Sequence, residues 1–301
     1  MKVYLGSQLT KVLAKGGLDD TKSWSKASTL KNNVSRGAAV VLDDKIHVLG
    51  GASNTTQHMI YNDSESTWSA STSIPYSFYD ACAVILNNEI HLLGSYSPSY
   101  KTNHYKWSGS SWTSVSTLPY EFNYGAAVVY NNEIHILGSY TSSYRKNHYK
   151  WSGSSWTSVS TLPYEFYYNT SAVVYNNEIH ILGGNSSTTK HYKWNGSSWT
   201  SVSTLPYDFY QGRSVVYNNE IHILGSGVKP PSYPQAQNHY KWNGTSWTSV
   251  STLPHIFFDG LAVVHNNEIN IFGGSFQNTV TTYSKDHYKY TDAPLALTAN
   301  I

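Results

Sequence analysis

Short apolar runs alternate with polar turns along the whole chain, and these runs recur at a regular spacing. In one stretch an apolar run at 126–130 is followed by an Asn-Asn pair and a second apolar run at 133–137. Asparagine tolerates positive φ, so the pair predicts a two-residue hairpin turn. The runs 148–151 and 156–162 predict two further strands, and the proline that follows ends the last one.

The same pattern of four strands occurs six times. The segment 104–122, HYKWSGSSWTSVSTLPYEF, returns unchanged at 148–166. A Trp preceded by Ser or Thr marks every copy, at Trp24, Trp68, Trp112, Trp156, Trp199 and Trp247. Six copies of four short strands predict an all-β chain folded as a six-bladed β-propeller, with four antiparallel strands per blade.

The two ends of the array complement each other. The last copy ends near Tyr290 without a Trp-bearing fourth strand, whereas 23–30 has the pattern of a fourth strand with no preceding three. We therefore expect 23–30 to complete the blade that begins at Gly260. An open solenoid would also fit the repeat length, but the mismatch favours a closed ring, which leaves no exposed terminal sheet face.

The copies resemble the kelch repeat, which has a Gly-Gly pair after the second strand, a Tyr in the third and a Trp opening the fourth. The Gly pairs here are Gly50-Gly51, Gly183-Gly184 and Gly273-Gly274, and the tyrosines are Tyr61, Tyr105, Tyr149, Tyr192, Tyr240 and Tyr288. Ser95, Ser139 and Ser226 replace the second Gly, and we expect those turns to differ. The resemblance implies a kelch-type propeller over 22–290, an N-terminal extension over 1–21 and a tail over 291–301.

Comparing the six copies with one another separates two kinds of connection. The first-to-second and third-to-fourth turns share one end of the ring and hardly change. The second-to-third loops vary in length and sequence, at 52–59, 96–103, 140–147, 185–190, 227–238 and 275–286. The fourth-to-first loops vary only at two adjacent positions. Rigid scaffolds carry function on their loops, so the variable end is predicted to be a binding face; the alternative is that loops simply tolerate change.

This end combines tyrosines with Ser, Thr and Asn, the mixture that antibody paratopes use and that also suits sugar rings. The candidate ligand-binding residues are Arg36, Tyr79, Asp80, Tyr96, Tyr100, Tyr124, Tyr140, Tyr144, Tyr167, Tyr168, Tyr210, Gln211, Arg213, Phe258 and Asp259. Arg213 is singled out because it stands where other copies have a small or apolar residue, and a guanidinium at the channel mouth would bind an anion.

Composition excludes several classes of protein. Charged residues make up 13% of the chain and aromatic residues 15%, which disfavours a helical bundle, a coiled coil and a charged disordered chain. A net charge of +2 gives no reason to expect nucleic acid as a partner. The single cysteine, Cys82, excludes a disulfide framework. No apolar run predicts membrane insertion, and the start of the chain has too short an apolar stretch for a signal peptide.

Two repeated columns of polar residues are candidates for chemistry. The first is the histidine column His47, His91, His135, His180 and His222; the second is the glutamate column Glu89, Glu133, Glu178, Glu220 and Glu268. A ring would hold one member of each column in each blade and keep them apart, so we interpret both as scaffold rather than as metal ligands or acid–base pairs. Kelch-like copper oxidases use Tyr, His and Cys, and no such cluster is found. We therefore predict no enzyme activity, no metal and no cofactor.

The segment 1–13, MKVYLGSQLTKVL, is similar to segments of minor tail proteins of bacteriophages of Gram-positive hosts, as are Asn- and Tyr-rich kelch arrays. This resemblance implies attachment to a larger particle through 1–21 and a place on the virion surface; without it, the cytoplasm is expected. The sequence thus predicts a binding module for a cell-surface glycan or protein. The alternatives are an intracellular kelch-type scaffold for a partner protein and an enzyme with its site at the channel mouth.

Overall fold

The computed structural model describes residues 23–99, 101–141, 143, 145–168, 171–184, 189–226, 236–274 and 283–292. Within these ranges the chain forms six four-stranded antiparallel sheets and no α-helix. The extension predicted over 1–21, and all of the 291–301 tail except its first two residues, lie outside the described residues. Of the part of the chain that is described, nothing forms a helix of the length and apolar character needed to cross a bilayer.

The N-terminal strand closes the ring, as the mismatch of the chain ends predicts. This strand, β1 (Trp24–Thr29), is the outer strand of a sheet whose other members are β22 (Leu261–His265), β23 (Glu268–Phe272) and β24 (Asp286–Tyr290). Trp24 lies opposite Tyr290 and Thr29 opposite Asp286. This sheet is blade 6.

The other five blades follow the chain in order. Blade 1 consists of β2 (Ala38–Leu42), β3 (Lys45–Leu49), β4 (His58–Asn62) and β5 (Thr67–Ala70). Blade 2 consists of β6 (Cys82–Leu86), β7 (Glu89–Leu93), β8 (Asn103–Trp107) and β9 (Trp112–Thr117). Blade 3 consists of β10 (Ala126–Tyr130), β11 (Glu133–Leu137), β12 (Asn147–Trp151) and β13 (Trp156–Thr161). Blade 4 consists of β14 (Ser171–Tyr175), β15 (Glu178–Leu182), β16 (Lys190–Trp194) and β17 (Trp199–Thr204). Blade 5 consists of β18 (Arg213–Tyr217), β19 (Glu220–Leu224), β20 (His239–Trp242) and β21 (Trp247–Ser249).

The Asn-Asn pairs form the predicted hairpin turns. Asn131 and Asn132 join β10 to β11 with φ values of 49° and 60°, and the equivalent pairs in the other blades also have positive φ. At the opposite end of the ring, serine changes the turn after the second strand. Ser139 is not among the positive-φ residues, and its Oγ donates to the carbonyl of Glu121 at 2.7 Å. The three serine-containing turns therefore differ from the Gly-Gly turns, as expected.

The hydrophobic core lies between neighbouring blades. Between blades 2 and 3, for example, Leu118, Tyr120 and Phe122 of the fourth-to-first loop pack with Ile134 and Ile136 of β11. The hydroxyl of Tyr120 donates to the carbonyl of Gly138 at 3.1 Å. This Leu-Pro-Tyr-x-Phe run, which recurs at 162–166 and 205–209, thus anchors the loop on both sides. The two variable positions that follow it are held in place by buried contacts that do not involve them.

At most junctions a hydrogen-bonded chain of side chains also links one blade to the next. In blade 3, Nδ1 of His135 lies 2.8 Å from Nε2 of His148, and Nδ1 of His148 lies 2.9 Å from Oγ of Ser160. Nε1 of Trp199, on the fourth strand of blade 4, donates to the same Oγ at 3.0 Å. The histidine, serine and tryptophan columns of the sequence are therefore parts of one scaffold network.

The junction between blades 5 and 6 breaks this pattern. Nδ1 of His239, Oγ of Ser251 and Nε1 of Trp24 are buried and have no hydrogen-bond partner among the described residues. At the junction between blades 6 and 1 the series of side-chain hydrogen bonds is complete, because Nε1 of Trp68 donates to Oγ of Ser28 at 3.0 Å. The network of side-chain hydrogen bonds is thus interrupted where β1 meets blade 5.

Candidate ligand-binding site

One residue from each fourth-to-first loop stands at the loop end of the central channel, and we call these six the mouth ring. They are Arg36, Asp80, Tyr124, Tyr168, Gln211 and Asp259. Each occupies the second variable position of its loop, and each has a left-handed backbone with φ between 50° and 72°. Backbone hydrogen bonds join neighbours in the ring: Tyr124 N–H donates to Asp80 O, and Asp80 N–H donates to Arg36 O, both at 2.7 Å.

This backbone conformation is costly for the residues that adopt it. A non-glycine residue in the left-handed region is disfavoured by about 1–2 kcal/mol, and Arg, Tyr and Gln lack the local hydrogen bonding that favours Asn and Asp there. Strained positions of this kind are concentrated at functional sites. Glycine would satisfy the backbone at each position, so the presence of a polar side chain at all six positions indicates that the side chains themselves are used.

Arg36, Asp80 and Tyr124 form a charged cluster in the mouth ring. Nε of Arg36 donates to Oδ1 of Asp80 at 2.8 Å, while its Nη2 contacts the other carboxylate oxygen and the Tyr124 hydroxyl. Burial alone lowers the pKa of Arg36, but the hydrogen bond and charge of Asp80 outweigh it and hold that pKa above its ordinary value. Burial, reinforced by the Asp80 carboxylate, raises the pKa of Tyr124. The cluster is thus an arginine cation beside a neutral tyrosine.

Aromatic rings continue from this cluster across three blades. We call the six rings the tyrosine row: Tyr79, Tyr96, Tyr124, Tyr140, Tyr167 and Tyr168. Successive ring centroids lie between 4.8 and 6.3 Å apart. The Arg36 guanidinium lies 5.6 Å from the Tyr79 centroid at one end, and the Arg145 guanidinium lies 4.4 Å from the Tyr167 centroid at the other. Among the described residues the row lies on one side of the ring, so this part of the face is asymmetric although the scaffold is repeated.

A groove lies along the tyrosine row between the second-to-third loops of blades 2 and 3. It encloses about 530 Å³ and is lined by Tyr96, Pro98, Lys101, Asn123, Tyr140, Thr141 and Arg145. Both cations are paired with carboxylates, Lys101 with Glu121 and Arg145 with Glu165, each at 3.1 Å. We call this cavity the blade 2–3 groove.

The channel itself is lined mainly by small residues from the start of each inner strand, and it encloses about 210 Å³. Arg213 lies in this channel, where Nη1 donates to the carbonyl of Gly212 at 2.9 Å. Burial lowers the pKa of Arg213, and the Asp259 carboxylate partly offsets that effect. Cys82 also lines the channel, and burial raises the pKa of its thiol to about 12. A thiol with this pKa stays protonated at neutral pH and is a poor nucleophile.

The remaining predicted residues fall into two groups. Tyr210 and Phe258 are half-buried beside the mouth ring, and Nε2 of Gln211 donates to Oδ2 of Asp259 at 3.3 Å. Tyr100 and Tyr144 lie outside the described residues, as do parts of the loops at 185–190, 227–238 and 275–286. The structure therefore brings Arg36, Asp80 and the tyrosine row together and places Arg213 separately, in the channel.

The repeated polar columns lie away from the loop face. Each histidine of the second strand bonds to a histidine of the third strand in the same blade, as at His91 Nδ1 and His104 Nε2, 2.8 Å apart. In the described part of the chain, no three His, Cys, Asp or Glu side chains are grouped to hold a metal ion. The glutamates pair with the third-strand lysines, as at Glu89 and Lys106, 2.9 Å apart. Cross-strand register aligns the two columns.

Sequence comparison between copies does not single out three lining residues of the blade 2–3 groove. Asn123 occupies the first position of a variable pair, but its exposure of 1% would ordinarily mark a core residue. Thr141 and Arg145 belong to a variable loop in which only the tyrosines stand out by type. The usable signal is positional: Asn123 and Thr141 are each next in sequence to a tyrosine of the row, and the Arg145 guanidinium lies against the ring of Tyr167.

The fold and this loop face define a six-bladed β-propeller with an asymmetric, tyrosine-rich rim. No protein-family model matches the sequence, and no curated protein matches it. Among solved structures, one titled "Structure of YjhT" is similar, with a TM-score of 0.75 over 89% of this chain and 97% of that chain. The two sequences are 13% identical, so the likeness shows the propeller fold alone.

Proposed function

We propose that this chain is a non-enzymatic binding module that recognises a cell-surface glycan or protein through its loop face. The tyrosine row is the observation that carries the proposal. Six aromatic rings from three neighbouring blades converge beside one groove, although the scaffold beneath them is close to sixfold. A repeated scaffold alone would distribute such side chains evenly around the ring.

The chemistry of the face suits recognition of a ligand with apolar faces and polar edges. Tyrosine offers a large, rigid contact area with a polar tip, and it loses little conformational entropy on binding. The hydrogen bonds that hold the loops are made by the backbone and by buried residues of recurrent runs such as Leu-Pro-Tyr-x-Phe, as with Tyr120 and Gly138. The side chains of the face can therefore vary with the ligand without unfolding the blades.

The resemblance to kelch repeats supports a kelch-type propeller over 22–290. The resemblance of 1–13 to phage minor tail proteins supports a place on the virion surface, with 1–21 attaching the propeller to the particle and the loop face turned toward the host. In this arrangement, many copies on one particle would add their weak contacts together.

One observation favours an enzyme as the second candidate. Arg36, Asp80 and Tyr124 are hydrogen-bonded to one another at the channel mouth, and the pKa values of Arg36 and Tyr124 are raised. Groups with perturbed pKa values in a cleft are a common feature of catalytic sites. The same cluster is also compatible with the binding proposal, because it would place polar groups for a ligand at one end of the tyrosine row.

Binding of the labelled protein to a panel of bacterial cells, immobilised cell-surface glycans and host surface proteins tests the proposal. Saturable, selective binding to one glycan or protein is the expected result. Turnover of a bound glycan without retention would favour the enzyme instead. Absence of saturable binding across the panel would contradict recognition of a cell surface.

A further inference from the structure

The blade 2–3 groove contains polar atoms whose hydrogen-bonding capacity is unused. Asn123, Thr141 and Arg145 line the groove, and one side-chain atom of each (Oδ1, Oγ1 and Nε respectively) is buried beside it with no hydrogen-bond partner among the described residues. An unpaired buried polar atom costs about 1–3 kcal/mol. Such atoms are rare in native proteins, and three of them around one cavity indicate a ligand that pairs with them.

Neighbouring residues hold Asn123 and Arg145 beside the groove. The backbone N–H of Asn123 donates to Oγ of Ser139 at 3.4 Å, and its carbonyl accepts from the N–H of Tyr140 at 3.0 Å. The Arg145 side chain is fixed by the hydrogen bond from Nη1 to Glu165 and by the ring of Tyr167, and its buried Nε has no partner among the described residues. The Asn123 backbone and the Arg145 side chain are therefore held beside the groove before any ligand arrives, which lowers the entropic cost of binding.

The kinds of atom specify the kind of ligand. The amide oxygen of Asn123 only accepts, Nε of Arg145 only donates, and the hydroxyl of Thr141 does both. A matching ligand must offer donors and acceptors side by side, and neighbouring hydroxyl groups do this. The groove also has apolar walls, from the rings of Tyr96 and Tyr140 and from Pro98.

Charge argues against an anionic ligand in this groove. Lys101 and Arg145 are the cations that line it, and each is already paired with a glutamate, Glu121 and Glu165 respectively. An incoming carboxylate or phosphate would have to displace one of those pairs. A volume of about 530 Å³ is typical of small-molecule sites.

We propose that the blade 2–3 groove is a subsite for a neutral hexopyranose with neighbouring free hydroxyls. The sugar packs between Tyr96 and Tyr140, and its hydroxyls bond to Asn123, Thr141 and Arg145. This assignment rests on the proposed function, since it names the ligand class of the same face, but it commits to one groove and to an uncharged sugar.

Saturation-transfer NMR and titration with simple methyl glycosides test this assignment. The probes are methyl α-D-glucopyranoside, methyl α-D-mannopyranoside and methyl β-D-galactopyranoside, with D-glucuronate as the charged comparison. At least one neutral glycoside is expected to bind at concentrations up to about 10 mM. Glucuronate is expected to bind no better than the neutral probes.

Thr141→Val is the key variant, because it keeps the shape and removes only the unpartnered hydroxyl. It is expected to weaken sugar binding about tenfold and to leave the protein as stable as the wild type or slightly more stable. Arg145→Lys, which retains the charge but removes Nε, is expected to show the same loss. Thr157→Val, on the exposed outer strand β13, is the matched control and is expected to bind like the wild type.

Equal binding by Thr141→Val, Arg145→Lys and the wild type would overturn the assignment, as would binding of glucuronate alone or of no neutral glycoside. These results leave the proposed function standing wherever the wild-type protein still binds a glycan or protein of the surface panel. Failure on that panel would overturn both.

Discussion

Arg36 and Asp80 belong to the loops that enter blades 1 and 2, and Nε of Arg36 donates to Oδ1 of Asp80 at 2.8 Å. The carboxylate is fully buried, whereas the arginine side chain is 23% exposed. Both residues are also in the left-handed backbone region, with φ values of 60° and 50°. A charge pair between neighbouring blades is thus held by two strained backbones, which couples the two loops.

Asp80→Ala is expected to destabilise the protein by about 3 kcal/mol, because it leaves a largely buried guanidinium without its carboxylate. Arg36→Ala should cost a similar amount for the converse reason. The double variant should cost clearly less than the sum, since neither charge then remains unpaired. Urea denaturation of the four proteins measures this coupling. Additive losses would show that the pair contributes nothing beyond its separate contacts.

Gln211 provides the cleanest test of strain in the mouth ring, because its side chain makes one long hydrogen bond, to Asp259 at 3.3 Å. Gln211 has a φ of 56°, which glycine adopts without strain. Gln211→Gly is therefore expected to raise the free energy of unfolding by up to about 1 kcal/mol. Gln211→Ala removes the same hydrogen bond and keeps the strain, so it should not stabilise. Thermal unfolding of both variants distinguishes the effects; equal stability of the two would refute the strain.

Acid should destabilise the propeller through its buried histidine pairs. Burial lowers the pKa of His135 to about 4 and that of His148 to about 3, well below the ordinary value of 6.5. Between pH 6.5 and 3 the unfolded chain therefore binds more protons than the folded one. The free energy of unfolding should fall steadily as the pH drops through this window.

Blade 6 supplies a matched control for the acid effect. There Asn270 replaces the first histidine, and its Oδ1 accepts from Nε2 of His287 at 2.8 Å. His135→Asn should preserve the equivalent bond, stay within about 1 kcal/mol of the wild type at pH 7 and lose less stability in acid. Urea midpoints at several pH values measure both effects. A wild-type midpoint that does not change from pH 7 to pH 4.5 would contradict the prediction.

The seam between blade 5 and β1 should open before the other junctions. Trp24 and Ser251 lack the hydrogen bond that Trp199 and Ser160 make between blades 3 and 4. Amides of β1 and β21 are therefore expected to exchange with deuterium faster than those of β13 and β17. Equal protection at the two junctions would show that the side-chain network adds nothing to closure.

Most of the fold follows from the repeat itself. The Asn pairs predict the hairpins, and the missing fourth strand after Tyr290 predicts that 23–30 closes the ring. Both are confirmed, because each depends on local turn chemistry or on counting strands. The sequence does not reveal that His135 bonds to His148, since that contact depends on cross-strand register rather than on either column alone.

The site is harder to predict, for a physical reason. Variation between copies locates Tyr124 and Tyr168 because side chains at those positions are not needed by the scaffold. Asn123 belongs to one of the same variable pairs, but variation does not reveal its unpaired oxygen, because an exposure of 1% is that of a core residue. Unused hydrogen-bonding capacity becomes visible only when the partners of every atom are known.

Binding of the Tyr124→Ala/Tyr168→Ala double variant to the cell-surface ligand tests the central claim most directly. Both rings belong to the tyrosine row, with centroids 6.3 Å apart. The control is Lys106→Ala/Lys150→Ala, which removes two ion pairs from the turn end of the ring. We expect the tyrosine variant to stay folded and to bind at least about tenfold more weakly, and the lysine variant to bind normally. Unchanged binding by a folded tyrosine variant would contradict the assignment of the loop face as the recognition surface.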